Sequence, residues 1–124
     1  MTEDGTTSTA VQVPGRALYD ARMVKLVVLY GQPTDAAAFD AHYFSTHADL
    51  VAKMPGVQRF EVARCASMDG SESPYYMQAE LWFDDDSALQ ACFASPEGRA
   101  AASDVPNFAT GGATMLVGNV VAGQ

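Results

Sequence analysis

The stretch Met23 to Tyr30, MVKLVVLY, is apolar at nearly every position, with only Lys25 interrupting it. Val24, Val27 and Val28 are β-branched and favour extended backbone, so the stretch reads as a strand. A strand that is apolar at both odd and even positions must be covered on both faces. Ala113 to Val121, ATMLVGNVV, has the same character near the other end of the chain. Two strands that each need cover on two sides constrain the fold more than any other feature.

The chain between them supplies cover for one side. Gly31 and Pro33 end the first strand, and Thr34 or Asp35 can cap a helix by accepting from its free N–H groups. Phe39, Tyr43, Thr46, Leu50 and Met54 then recur at helical spacing and form one apolar stripe. His47 sits beside this stripe, and His42 on its other shoulder. Pro55-Gly56 stops the helix. Val57 to Ala66 is a second strand, with Gln58, Phe60, Val62 and Arg64 on one face. The segment Ser67 to Pro74 is a loop by composition.

Tyr75 to Phe83, YYMQAELWF, alternates cleanly. Tyr75, Met77, Ala79, Leu81 and Phe83 point one way, and Tyr76, Gln78, Glu80 and Trp82 the other. Asp84 to Ser87 caps a second helix whose inward face is Leu89, Cys92 and Phe93. Ser95-Pro96-Glu97 restarts it, and it runs to about Ser103. Asp104-Val105-Pro106-Asn107 makes a bend, and Gly111-Gly112 breaks the chain before the last strand.

The order is β-α-β-β-α-β, an α+β ferredoxin-like unit: an antiparallel four-stranded sheet with both helices on one face. The other face is left bare although its strands are apolar. A second copy of the chain is the simplest cover, giving a homodimer in which two sheets face each other as a barrel. A standard interface of ~800 Å² per partner would suffice. Residues 1–20 are rich in Thr, Ser, Gly and Asp, without period, and read as a flexible extension; 21–124 form the domain.

Composition narrows the partners. The formal net charge is −8, with seven Lys and Arg spread along 124 residues. A phosphate backbone or an anionic membrane would repel such a surface, so nucleic acid and membrane are not expected as partners. No stretch is long and apolar enough to span a bilayer, and the N-terminus lacks the pattern of a signal peptide, so the cytoplasm is the default location. Cys65 and Cys92 read as two buried free thiols rather than a disulfide.

Few residues can carry chemistry. His47 titrates near neutrality and suits proton transfer. Tyr43, on the same side, can hold a substrate oxygen. The alternative is two satisfied polar groups at the edge of a core. Tyr30, His42, Tyr76, Trp82 and Asn107 are candidate substrate contacts. Tyr76 and Trp82 could stack on a flat ligand or fill a dimer barrel, and His42 is expected at the rim. Glu80 must be paired if covered, and Arg59 or Arg64 on the next strand could do it. Asp104 and Asn107 are both turn formers and are read as fixing the bend, with a place at the pocket mouth open. His42 and His47 are spaced by five, which is poor for one helix face, and no metal is expected.

Several motifs together resemble the EthD family of dimeric α/β-barrel proteins. They are Val28-Leu29-Tyr30, Phe39-Asp40, Tyr43 with His47, Pro55-Gly56, Pro74-Tyr75, Leu81-Trp82-Phe83-Asp84, and Asp104-Val105-Pro106-Asn107-Phe108 with Thr110. The chain departs from the family at His42 and Phe108, where tyrosines are usual, and at Asp49, where proline is. The resemblance implies a homodimeric barrel and a role in the turnover of small organic compounds. Related barrel families include cofactor-free monooxygenases, cyclases and lactone isomerases. The expectation is an enzyme without a cofactor, acting by oxidation or isomerisation on a small apolar or aromatic molecule, with His47 moving a proton and Tyr43 orienting an oxygen. The alternatives are a non-catalytic binding protein and a structural homodimer.

Overall fold

The computed structural model describes residues 22–123 and two short strands before them, β1 (Ala10–Gln12) and β2 (Leu18–Asp20), which pair antiparallel. The rest of the expected flexible extension lies outside the described residues.

Four strands form the main sheet: β3 (Val24–Gly31), β4 (Arg59–Arg64), β5 (Tyr75–Phe83) and β6 (Ala113–Asn119). Their order is β4-β5-β3-β6, antiparallel throughout. The first helical layer is α1 (Ala36–His42), a π-helical turn (Tyr43–His47) and α2 (Ala48–Ala52). The second is α3 (Asp86–Ala94), α4 (Pro96–Asp104) and a 3₁₀ turn (Val105–Asn107). This is the ferredoxin-like arrangement expected.

The caps follow the sequence. Asp35 is extended and its carboxylate accepts from Ala38 N–H at 3.1 Å. Asp85 does the same for Ala88 at 2.8 Å, and Ser95 for Gly98 at 3.0 Å. Each satisfies an N–H that a helix start leaves without an intrahelical partner.

The core lies between sheet and helices. Val24, Leu26, Val28 and Tyr30 of β3 and Met77, Ala79, Leu81 and Phe83 of β5 are buried there. Gly31 and Gly111 close one end of this layer. A Cβ on Gly31 would stand 2.3 Å from the Gly111 carbonyl oxygen, so the turn before β6 approaches β3 only because neither has a side chain. That approach brings Asp104 to Phe108 up against α1.

Four expectations need correction. The buried stripe on the first helical layer is Phe39, Tyr43, His47, Val51 and Met54. Thr46 is exposed and Leu50 only half-buried. The π turn is the cause: Ala48 N–H bonds to the Tyr43 carbonyl, five residues back, which slips the inward face by one residue. His47 therefore points into the core and is not beside it.

Tyr76 does not share the outer face with Trp82. The β3–β5 register breaks so that Tyr30 pairs Met77 while Gly31 pairs Tyr75. This bulge re-aims Tyr76. Its ring meets Phe39 edge-on at 5.1 Å and its hydroxyl donates to Asp40 Oδ1 at 3.0 Å.

Glu80 finds a different cation. Lys25 Nζ of β3 lies 3.1 Å from Glu80 Oε2, and Gln78 Nε2 donates to the same oxygen at 3.0 Å. Arg64 instead turns to the helices and pairs Asp40 at 2.8 Å, and Arg59 pairs Glu61. Of the two cysteines, both free, Cys92 is buried but Cys65, just past β4, is half-buried.

Candidate functional site

Asp104, the last residue of α4, reaches across to the first helical layer and is 7% exposed. His42 Nε2 lies 2.8 Å from its Oδ1 and 3.0 Å from its Oδ2. His47 Nδ1 lies 3.0 Å from Oδ2. Asn107 Nδ2, one turn on, donates to Oδ1 at 3.0 Å. Burial alone would raise the Asp104 pKa. The donors Asn107, His42 and His47 outweigh it and hold the carboxyl below its ordinary range.

The two histidines reach one carboxylate because of the π turn. Five α-helical steps would leave them well apart around the axis. The wider turn brings His47 inward and leaves His42 at the rim, with Asp104 between.

Burial lowers the His47 pKa against the pull of Asp104, and His42 pushes in the same direction as burial. His47 is thus neutral at pH 7. Bonded to a carboxylate through Nδ1, a neutral ring carries its proton there and keeps a lone pair on Nε2. No hydrogen bond engages Nε2 among the described residues. Phe108 braces both rings, stacked on His42 at 5.5 Å and tilted against His47 at 4.7 Å.

Two tyrosines stand beside His47. The Tyr43 ring centroid is 5.1 Å from that of His47 and 5.8 Å from that of Tyr30. The phenols of Tyr30 and Tyr43 lie close enough to influence each other's ionisation. No hydrogen bond of good geometry joins them, and the Tyr43 hydroxyl oxygen is buried and unpaired among the described residues. Burial first, then the neighbouring Tyr30, pushes the Tyr43 pKa far above the ordinary phenol value. Burial takes Tyr30 up to about 12, with Tyr43 opposing and Asp104 assisting. Both phenols keep their protons at neutral pH.

His47, Tyr43 and Tyr30 form the polar edge of an otherwise apolar cavity between helices and sheet, walled by Leu26, Val28, Val51, Phe60, Phe93 and Val105 among others. It leaves ≈ 40 Å³ for the centres of water molecules. At about 10–15 Å³ per water that is room for three or so, roughly the bulk of one small ring. A mostly apolar pocket with a few placed polar groups is the usual form of a small-molecule site. Among the described residues no three His, Cys, Asp or Glu group so as to hold a metal ion, and no helix is long and apolar enough to cross a membrane.

The model of the EthD domain matches residues 31–112. The chain belongs to the EthD family. An uncharacterised 11.0 kDa protein in the thcB-thcC intergenic region of Rhodococcus erythropolis is 47% identical over 94 residues, covering 76% of this chain and 91% of its own. The crystal structure of an EthD family protein from Bacillus halodurans is 42% identical with a TM-score of 0.76, over 80% of this chain and 99% of that one. SnoaB, a cofactor-independent oxygenase from Streptomyces nogalater, shares the fold with a TM-score of 0.60 at 19% identity, over 84% and 96%.

In this EthD chain the structure brings Tyr30, Tyr43 and His47 together on one cavity. His42 and Asn107 stand one layer back and reach it only through Asp104. Tyr76 is held by Asp40, with the Arg64 guanidinium 4.7 Å over its ring. Trp82 is on the opposite side of the sheet, with Lys25 and Arg59 at 5.3 and 4.9 Å from its ring centroid. Asp104 is the residue that sequence reasoning underrated, because a turn former gives no sign of its reach. The spacing of five between the histidines gave no sign of it either, because on a regular α-helix it sets them well apart and only the π turn brings both to Asp104.

Proposed function

We propose that this protein is an enzyme that moves a proton on a small, largely apolar organic molecule bound between its helices and sheet. His47 Nε2 takes the proton from a substrate C–H or O–H. Asp104 holds the ring in the right tautomer and stabilises the imidazolium that forms. Tyr43 donates to the substrate oxygen on which negative charge develops. A positioned base of this kind contributes roughly 10²–10⁴-fold in rate. The resulting anion can rearrange or cyclise, or it can pass electrons to dioxygen as the oxidant. None of these steps asks for a bound cofactor. The observation that carries this reading is a neutral histidine, tied to a buried carboxylate, beside a buried hydroxyl without a partner.

Likeness in fold to a cofactor-independent oxygenase supports the class of chemistry. The outer face of the sheet supports a homodimer: Leu116 of β6 is 54% exposed, beside half-buried Val27 and Leu29. A second copy would cover it.

The test is hydrogen exchange. Acetophenone in D₂O should lose its α-protons faster with the protein than in buffer, and His47→Gln should return the rate to that of buffer while leaving acetophenone binding in place. Equal exchange by both proteins would remove the proposal.

A further inference from the structure

The reading of His47 and Tyr43 as the reactive edge leaves the substrate class open, and the cavity narrows it. Tyr43 is 1% exposed, lines the cavity, and its hydroxyl has no partner among the described residues. A buried hydroxyl left unpaired forfeits its hydration without recompense. The Tyr30 phenol stands beside it, but no hydrogen bond of good geometry joins the two. The group fitted to pair it is an acceptor oxygen on a bound molecule.

Charge decides the rest. Among the described residues no Lys or Arg lines the cavity. His47 is neutral, so it offers no cation at pH 7. Behind it stands the Asp104 carboxylate, already engaged on both oxygens by His42, His47 and Asn107. An anion entering here would lose its hydration, meet no counter-charge and face Asp104. A cation would find the one carboxylate already bonded. Burial without a partner is costly for either sign.

We infer that the cavity takes uncharged molecules presenting one acceptor oxygen on an apolar body, the class of neutral ketones, aldehydes and amides, and rejects carboxylates of the same shape. The acceptor oxygen meets Tyr43 Oη–H. The adjoining C–H or N–H faces His47 Nε2. This inference rests on the proposed function for its choice of groups but concerns binding alone.

Three molecules of nearly one shape separate the contributions. Acetophenone has the oxygen and no charge, benzoate has the charge, and α-methylstyrene has neither. Binding to the full chain at pH 7.5 is read by calorimetry and by shifts of the Tyr43 and His47 resonances. Acetophenone should bind at the cavity, with benzoate weaker by about tenfold or more. The loss of one hydrogen bond should weaken α-methylstyrene about fivefold. Tyr43→Phe should cost acetophenone that same factor, leave α-methylstyrene unchanged, and melt no lower than the parent. Benzoate binding as tightly as acetophenone would overturn the inference. So would Tyr43→Phe leaving acetophenone affinity intact, or acetophenone failing to bind up to its solubility limit. Failure of deuterium exchange with this binding pattern intact would sink the proton-transfer reading and leave the inference standing; the reverse result would do the opposite.

Discussion

The two faces of the sheet handle polar groups in opposite ways. On the outer face, Lys25 pairs Glu80, Arg59 pairs Glu61, and the ring of Trp82 lies under both cations. Glu61 and Glu80 sit directly opposite one another across β4 and β5, an unfavourable placement that the two cations offset. Each charged group there has a partner. On the helix side, the Tyr43 hydroxyl has none among the described residues, and His47 lines the cavity beside it. A satisfied polar face can meet another protein surface without a buried orphan. An unsatisfied one stores an interaction that only a ligand completes. In the function proposed above, the outer face would dock and the inner face would carry the chemistry.

The strongest way to break this assignment is His47→Gln. Turnover should fall by about 10²–10⁴-fold with little change in ligand affinity, since only the base is lost. Steady-state kinetics beside direct binding would show it. A matched loss in both would mean that His47 merely shapes the cavity.

Asp104 is the next test. Asp104→Ala leaves two histidines and an asparagine without their shared acceptor and should cost about 3 kcal/mol of stability in denaturant unfolding. The milder Asp104→Asn removes the negative charge that opposes the lowering of the His47 pKa. The acid limb of its kcat/KM profile should move to lower pH. An unmoved limb would deny Asp104 its positioning role.

The outer face is probed by Leu116→Asp, which places a charge beside half-buried Val27 and Leu29. It should weaken dimerisation by about tenfold or more in sedimentation, while a single subunit's fold stays intact. A stable monomer for the parent chain would remove the docking half of the comparison.

Acid should act through the inner face. The folded-state pKa of His47 is depressed, so the unfolded chain binds more protons at and below about pH 6.5. The contribution of His47 is present above that value and is lost as pH falls through the folded pKa. Asp104, also depressed, adds a second loss at lower pH, below the ordinary carboxylate range. Unfolding free energies measured from pH 7 downward should decline first through His47, and His47→Gln should remove that first decline.

The smallest effect expected is a gain. Tyr43→Phe deletes a buried unpaired hydroxyl and should stabilise the fold by about 1 kcal/mol. Destabilisation would mean that the hydroxyl has a structural partner and that the inner face is as satisfied as the outer.

Much of this was legible in the chain. The alternation of Tyr75 to Phe83 predicts the buried Met77, Ala79, Leu81 and Phe83 because side-chain direction along a strand is a local property. Caps at Asp35, Asp85 and Ser95 are local for the same reason. Tyr76 was misplaced because a bulge depends on the register of β3 against β5, which no single strand encodes. Thr46 and Leu50 give way to His47 and Val51 in the helix stripe, while Phe39, Tyr43 and Met54 keep their places, because a periodicity argument assumes one helical period throughout.

The residues alone settled the order of elements, the two faces of Tyr75 to Phe83, and a histidine and a tyrosine on the first helix as the groups worth watching. Period and capping act over a few neighbours, and a linear reading captures them. That Asp104 bridges His42 and His47, that Lys25 rather than Arg64 serves Glu80, and that Tyr43 keeps an empty hydrogen bond were decided only by tertiary structure. Each depends on side chains brought together from distant parts of the chain, and the distance between them is set by packing, not by sequence separation.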